Sequence, residues 1–314
     1  MRSIAHNLSG IHHITAIASS AAENVAFYSN TLGLRLIKKT VNFDDPHTYH
    51  LYFGDHIGTP GTILTFFPWE NMPKGRPGTG MITAIAFAVP LSALDFWRKH
   101  LADACDSRTE ERFGDPVLHF TDPHGLPLEL VGLSGLPATS GRQTGPMAPA
   151  HAIVGFHSAT ATQNDLSATR TLLMDTMGLT LVDQSRNRYR FAMSDTQAPG
   201  HYLDMIVDPN APAGQQGGGT VHHIAFRTQN DAAQRDWQSR LRKTGLSVTD
   251  VRDRHYFRSI YFHAPQQLLF EIATDGPGFT VDEAEKDLGK SLKLPPHYER
   301  MRPELEERLD PLTG

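Results

Sequence analysis

Cysteine is almost absent. Cys105 stands alone among 314 residues, so an intrachain disulfide is impossible and zinc clusters built on several thiolates are excluded. Long apolar runs are missing too. No stretch approaches the roughly 20 residues that span a bilayer, and Met1 to Gly10 lacks the apolar centre of a secretory signal. Neither sign of charge dominates: 29 Lys and Arg against 34 Asp and Glu leave a formal charge of −5. Without a basic cluster to neutralise phosphates, nucleic acid is not an expected partner. These absences predict a cytoplasmic protein that engages neither nucleic acid nor membrane. The chain, 39% hydrophobic, is long enough for two domains with separate cores.

What the chain has is repetition, and many histidines (17). Four segments share one order: a short apolar strand, an amphipathic helix, then further strands. The first opens at Gly10-Ile11-His12-His13-Ile14-Thr15-Ala16-Ile17, with a helix expected over 21–32, stopped at Gly33, and strands near 34–41, 48–53 and 62–67. The second opens over 81–89, with a helix over 92–104 and strands near 117–120 and 126–131. The third opens over 153–161, with a helix over 166–177 and strands near 179–184, 188–192 and 202–207. The fourth opens over 220–227, with a helix over 232–243 and strands near 248–252, 259–263 and 268–273.

The halves echo each other. Leu32-Gly33-Leu34 matches Met177-Gly178-Leu179, Thr83-Ala84-Ile85-Ala86-Phe87 matches His222-His223-Ile224-Ala225-Phe226, and Asp122–Glu129 matches Ala264–Glu271. Modules one and two therefore correspond to three and four, and the Gly- and Pro-rich stretch 132–149 reads as a linker. The expected fold is α+β: four βαβββ modules in two domains, 1–140 and 150–279, each a curved mixed-sheet cup with helices outside. A charged tail, 280–314, follows, with a short helix over 303–309 that either wraps a domain or stays solvated.

Each His-His pair opens a strand. Side chains alternate across a strand, so His13 and Thr15 share one face while His12, Ile14 and Ala16 share the other. Only one histidine of each pair points squarely into the cup. Two imidazoles and one carboxylate on one face of an ion leave open positions and suit non-haem Fe(II). Glu271, on the last strand of module four, is the carboxylate candidate.

The repeat, with His opening one strand and Glu closing another, resembles the vicinal-oxygen-chelate superfamily. Within it, the opening run from Gly10, then Leu34-Arg-Leu-Ile-Lys-Lys-Thr-Val-Asn-Phe-Asp44, Tyr49-His-Leu-Tyr-Phe-Gly-Asp55 and Gly58-Thr-Pro-Gly-Thr62 are similar to ring-cleaving dioxygenases that act on hydroquinones. Thr220-Val-His-His-Ile-Ala-Phe226 and Phe270-Glu-Ile-Ala-Thr-Asp-Gly-Pro-Gly-Phe279 extend the likeness into module four. The resemblance implies that the second histidine of each pair binds metal, giving His13, His223 and Glu271 as ligands to Fe(II), or Mn(II) in its place. It implies a small aromatic substrate and O2 as partners, and it places His12, Thr15, His222, Arg254 and Tyr261 around the centre. His255 and Tyr256 have weaker support. Read without the family, Arg254 is an ordinary surface charge and His12 and His222 are as readily backbone-bonded histidines. Phe43, Tyr49, Phe67, Trp69 and Phe279 are either pocket walls or core. A homo-oligomer is compatible with this reading.

The repeat also supplies a control. Aligned with His13, His223 and Glu271 are His157, Ala84 and Glu129, which lack one imidazole, so one metal site built from modules one and four is expected. The competing set replaces His13 by His157. A glyoxalase-type isomerase of the same fold commonly adds a further carboxylate, but module one closes in Leu64-Thr-Phe-Phe-Pro-Trp69 with Glu70 beyond it. A metal-free binding or resistance protein is the remaining rival, opposed by the intact His13, His223 and Glu271.

Overall fold

A computed structural model describes residues 7–136, 147–193 and 200–312. Most of the expected linker, 137–146, lies outside the described residues. Module one holds β1 (Ile11–Ala18), α1 (Ala21–Ala26), β2 (Arg35–Asn42), β3 (Asp45–Gly54) and β4 (Ile63–Pro68). Module two holds β5 (Met81–Pro90), α2 (Leu94–Leu101), β6 (Arg108–Arg112), β7 (Asp115–Thr121) and β8 (Pro127–Leu133). Module three holds β9 (Gly155–Gln163), α3 (Ser167–Thr171), β10 (Thr180–Ser185), β11 (Arg188–Ala192) and β12 (Tyr202–Val207). Module four holds β13 (Thr220–Thr228), α4 (Asp231–Lys243), β14 (Arg252–Asp253), β15 (Phe257–His263) and β16 (Leu269–Pro277).

Two eight-stranded mixed sheets result, ordered β14-β15-β16-β13-β1-β4-β3-β2 and β10-β11-β12-β9-β5-β8-β7-β6. The expected α+β cups are present, but each sheet takes one module from each half of the repeat. Modules one and four share a sheet through the antiparallel β1–β13 pair, and modules two and three through β5–β9. The division at 140–150 thus marks the repeat, while the sheets cross it. Where the halves meet, two glycine-rich segments run against each other, Arg76 pairing with Gln215. A Cβ on Gly217 would lie 2.5 Å from the Pro73 carbonyl oxygen, so only glycine fits there.

Every residue of β1 is buried, since one face lines the cup and the other meets the core beneath the helices. The first three helices are shorter than expected, whereas α4 matches its expected span within one residue. α1 and α3 end in π-helical turns, Phe27–Thr31 and Leu172–Thr176, before the positive-φ Gly33 and Gly178. α4 is capped by the Asn230 side chain, which accepts from Ala232 and Ala233 N–H. Strand β6 was not anticipated, and of the strand expected at 248–252 only a Val248–Phe262 bridge and β14 form.

The tail wraps module one. Lys38, with no exposed surface, ion-pairs with Asp282 (2.6 Å) and Glu283, and Leu294, Leu305 and Leu309 pack on Val41 beside helix α5 (Arg302–Arg308). No described helix is long and apolar enough to cross a membrane.

Candidate metal centre

Strand register assembles the site. Across the first sheet, His13 on β1 lies opposite Ala225 on β13, Ala225 opposite Glu271 on β16, and Glu271 opposite Tyr261 on β15. His223 sits one step along, opposite Thr15. Paired residues share a face of the sheet, so these side chains project into one cup. Ligand atoms of His13, His223 and Glu271 lie within 4.8 Å of one another, and all three residues are buried. Glu271 Oε2 is 3.3 Å from His13 Nε2 and 2.9 Å from His223 Nε2. Among the described residues, neither His223 Nε2 nor Glu271 Oε2 has a hydrogen bond of proper geometry. Buried polar atoms are rarely left so; these aim at a shared point, as ligands to an ion do. The donor set and its compactness fit a divalent metal such as iron or manganese.

Neighbouring groups set the ligands' orientation. His12 Nδ1 is 2.9 Å from His13 Nδ1, and His222 Nδ1 is 2.8 Å from His223 Nδ1. For His13 and His223 to offer Nε2 lone pairs, each must carry its proton on Nδ1 and donate it to the preceding histidine. His12 and His222 then serve as acceptors and hold their own protons on Nε2. Burial, reinforced by the neighbouring ligand histidine, lowers both pKa values, that of His222 to about 3. Both rings are therefore neutral. His12 is sealed from solvent, whereas His222 lines a cavity. Ser259 Oγ donates to Glu271 Oε1, which leaves Oε2 free for metal. Burial works to raise the Glu271 pKa, but His13 and His223 outweigh it and hold the carboxylate well below its ordinary range.

The cavity measures about 610 Å³ and opens onto His13, Thr15, His222 and His223. Phe43, Phe67 and Trp69 line it, as do Arg254 and Tyr261. Of the other candidate wall residues, Tyr49 packs toward the tail, and Phe279 stacks on Tyr256 and packs on Tyr52. Arg254 Nε donates to Tyr261 Oη at 3.1 Å, and its two terminal nitrogens reach Asp44 Oδ2 at 3.2 Å. The Tyr261 oxygen thus accepts from Arg254, and the phenol hydroxyl also faces the Ser259 hydroxyl. Burial, helped by the charge of Glu271, keeps that phenol protonated. His255 and Tyr256 turn away to Asp282. Sequence reasoning gave no role to Ser259, Asp44, His50, Tyr52 or Thr65. Alternation offers a signal for one of them, because Ser259 shares a face with Tyr261, whereas only strand register brings Thr65 opposite Thr15.

The second sheet carries the broken copy, with one correction. Ser158 lies opposite Ala86 and Thr160 opposite Ala84, as His13 lies opposite Ala225 and Thr15 opposite His223. His13 therefore corresponds to Ser158, and His157 corresponds to His12. The alignment of His157 with His13 is displaced by one residue, since His13 and Ser158 stand equally far from Gly10 and Gly155. His157 Nδ1 bonds Ser158 Oγ at 3.0 Å, repeating the His12–His13 contact. Both imidazoles are thus missing from the copy, and His157 lies in the other sheet from His223 and Glu271. Arg112 takes the place of an ion, binding Glu129 through two bonds of 2.6 and 2.9 Å.

Comparison with known proteins agrees with this architecture. Residues 10–130 and 155–282 match the Glyoxalase/Bleomycin resistance protein/Dioxygenase superfamily. MhqO of Bacillus subtilis, named as a ring-cleaving dioxygenase, is 45% identical over 96% of this chain and 96% of its own. The chlorohydroquinone/hydroquinone 1,2-dioxygenase of Sphingobium indicum is 35% identical over 97% of each chain. A crystal structure titled as a dioxygenase from B. subtilis superposes with a TM-score of 0.92 at 44% identity, covering 98% of both chains. The chain belongs to the glyoxalase, bleomycin-resistance and dioxygenase superfamily.

Proposed function

We propose that this protein is a non-haem, Fe(II)-dependent extradiol-type dioxygenase that opens the ring of a substituted hydroquinone, with Mn(II) as the alternative metal. The observation that carries the reading is the buried His13, His223 and Glu271 group, its His223 Nε2 and Glu271 Oε2 aimed at one point beside an aromatic-walled cavity. Likeness to the Sphingobium enzyme along nearly the whole chain supports the substrate class. When bound, the ion supplies positive charge that favours a phenolate and a redox centre between the ring and O2.

The chain's own groups do the rest. A hydroquinone has para hydroxyls, so only one reaches the ligand group and side chains must hold the ring. Phe67 and Trp69, with ring centroids 5.3 Å apart, supply apolar surface for it. Arg254, fastened by Asp44, keeps a fixed positive charge in the cavity wall, where developing oxyanion charge is stabilised without reorganisation. Tyr261 offers an O–H donor beside it. His222 holds a proton on Nε2 at the cavity wall and, being neutral, donates it as a hydrogen bond to substrate oxygen. His12, sealed behind His13, orients that ligand only.

An isomerase is disfavoured by position. Thr65 stands opposite Thr15 as Glu271 stands opposite Ala225, so the matching place in module one holds a hydroxyl. The Glu70 carboxylate is occupied with Ala21 N–H at 2.6 Å, at the start of α1. Reconstitution with Fe(II) without air, followed by oxygen-uptake assays on hydroquinones, catechols and a hemithioacetal, tests the proposal. Uptake is expected with hydroquinones. No uptake with any phenol overturns it, and turnover of the hemithioacetal without oxygen would establish the isomerase.

A further inference from the structure

Beside the ligands, four side chains form a continuous hydrogen-bonded run. Tyr52 Oη lies 2.8 Å from His50 Nδ1, His50 Nε2 lies 2.9 Å from Thr65 Oγ1, and Thr65 Oγ1 lies 2.8 Å from Thr15 Oγ1. Tyr52 is 1% exposed, and Thr65 and Thr15 are buried. His50 is packed between Tyr52 and Phe67, at centroid distances of 4.0 and 4.5 Å with tilted ring planes. Both of its ring nitrogens are engaged, which leaves none for a substrate.

Tyr52 and Thr15, the two ends of the run, both line the cavity, so its direction follows from donor strength: a phenol O–H is a far stronger donor than a neutral imidazole N–H. Among the described residues the Tyr52 hydroxyl has one hydrogen-bond partner, His50 Nδ1. A buried phenol does not leave its proton unshared when a nitrogen lone pair is within reach. Tyr52 therefore donates, and His50 carries its proton on Nε2. That proton goes to Thr65 Oγ1, and the Thr65 proton goes to Thr15 Oγ1. The Thr15 oxygen is then an acceptor, and its own proton is left for the cavity that Thr15 lines. In the reverse direction the imidazole N–H, the weaker donor, would be spent on the phenol oxygen, and the nitrogen lone pair that best accepts the phenolic proton would be lost.

We infer that Tyr52, His50 and Thr65 fix Thr15 as a hydrogen-bond donor into the cavity, which makes His50 a positioning residue for the oxygen of a bound phenol. The phenol rests on the function proposed above; the direction of the chain does not. The hydroxyl of Thr15 on its own rotates freely between two acceptors, and the three residues behind it remove one of those choices.

Two measurements test it. Nitrogen-15 NMR of the imidazoles should report His50 as the Nε2–H tautomer in the parent protein and as a mixture in Tyr52→Phe. An Nδ1–H tautomer in the parent protein overturns the inference, whatever the enzyme's substrate. In the second, 4-nitrophenol, which has no second hydroxyl to react, is titrated into Zn(II)-loaded protein. Thr15→Val and His50→Phe should each weaken binding about tenfold, the double variant should be no weaker than either, and His50→Gln, which keeps an N–H in place, should recover part of the loss. Losses that multiply to about a hundredfold in the double variant overturn the chain. Thr65→Val, nearly isosteric, gives the same reading if His50→Phe does not fold. If the parent protein binds no 4-nitrophenol, the substrate class fails while the tautomer still decides the direction.

Discussion

Ser259 offers a sharp handle on the metal centre because it touches only the half of Glu271 that faces away from the ion. Both residues are fully buried, and the serine hydroxyl donates to Oε1 while Oε2 faces the two imidazoles. Ser259→Ala removes the donor without adding bulk. A hydrogen bond to a charged acceptor is worth about 1.5–3 kcal/mol, and loss of such an outer partner typically lowers metal affinity by about 10–100-fold. The carboxylate would be freed to rotate, so the expected rise in the metal dissociation constant is of that size. Competition against a chromophoric chelator, under argon for Fe(II), reads it directly. Ser259→Thr keeps a hydroxyl and should stay within a few-fold of the parent. If Ser259→Ala binds metal as tightly as the parent while its melting temperature falls, Ser259 serves the fold alone and the account of Glu271 is wrong.

Other predictions separate roles that look alike. His12→Phe and His222→Phe should both weaken metal binding, since each removes an Nδ1 acceptor. At saturating metal His12→Phe should regain parental turnover of a hydroquinone, whereas His222→Phe should stay about tenfold lower, the loss of one hydrogen bond to substrate oxygen; equal recovery would deny His222 that contact. Metal analysis should find one ion per chain, and Arg112→Met should leave that content unchanged. The same change strands Glu129, 3% exposed, and should cost about 3–5 kcal/mol in denaturant unfolding. Burial works to raise the Glu129 pKa, but Arg112 and His119 hold it well below the ordinary range. Its folded value being depressed, its contribution is complete above about pH 4.3, the unperturbed value, and fades as pH falls toward the folded value. The stability gap between parent and Arg112→Met should therefore narrow in acid, and a gap independent of pH would contradict the pairing.

Much of the site was legible because alternation on a strand is a local property. His13 with Thr15, and His223 with Ala225, declare a shared face without any tertiary knowledge. The row from His13 to Tyr261 was not legible, because it depends on β1 meeting β13 across the chain. The sequence echo groups modules by half, yet the sheets exchange partners between halves, and nothing local announces that. A one-residue slip against Gly10 and Gly155 sufficed to misplace His157, since histidine drew the alignment and register corrected it. The π-helical ends of α1 and α3 escaped for a different reason: apolar spacing does not distinguish a four-residue from a five-residue hydrogen-bond step. Lys38 reads as an ordinary surface lysine until the distant Asp282 and Glu283 close over it.

In the proposed reaction both atoms of O2 end in an opened aromatic ring. Fe(II)-loaded protein turning over a hydroquinone under isotopically labelled dioxygen, with the product analysed by mass spectrometry, addresses it most directly. Two labelled oxygen atoms in a ring-opened product are predicted, and none with His13→Ala. A product without label, or a ring left intact, contradicts the account.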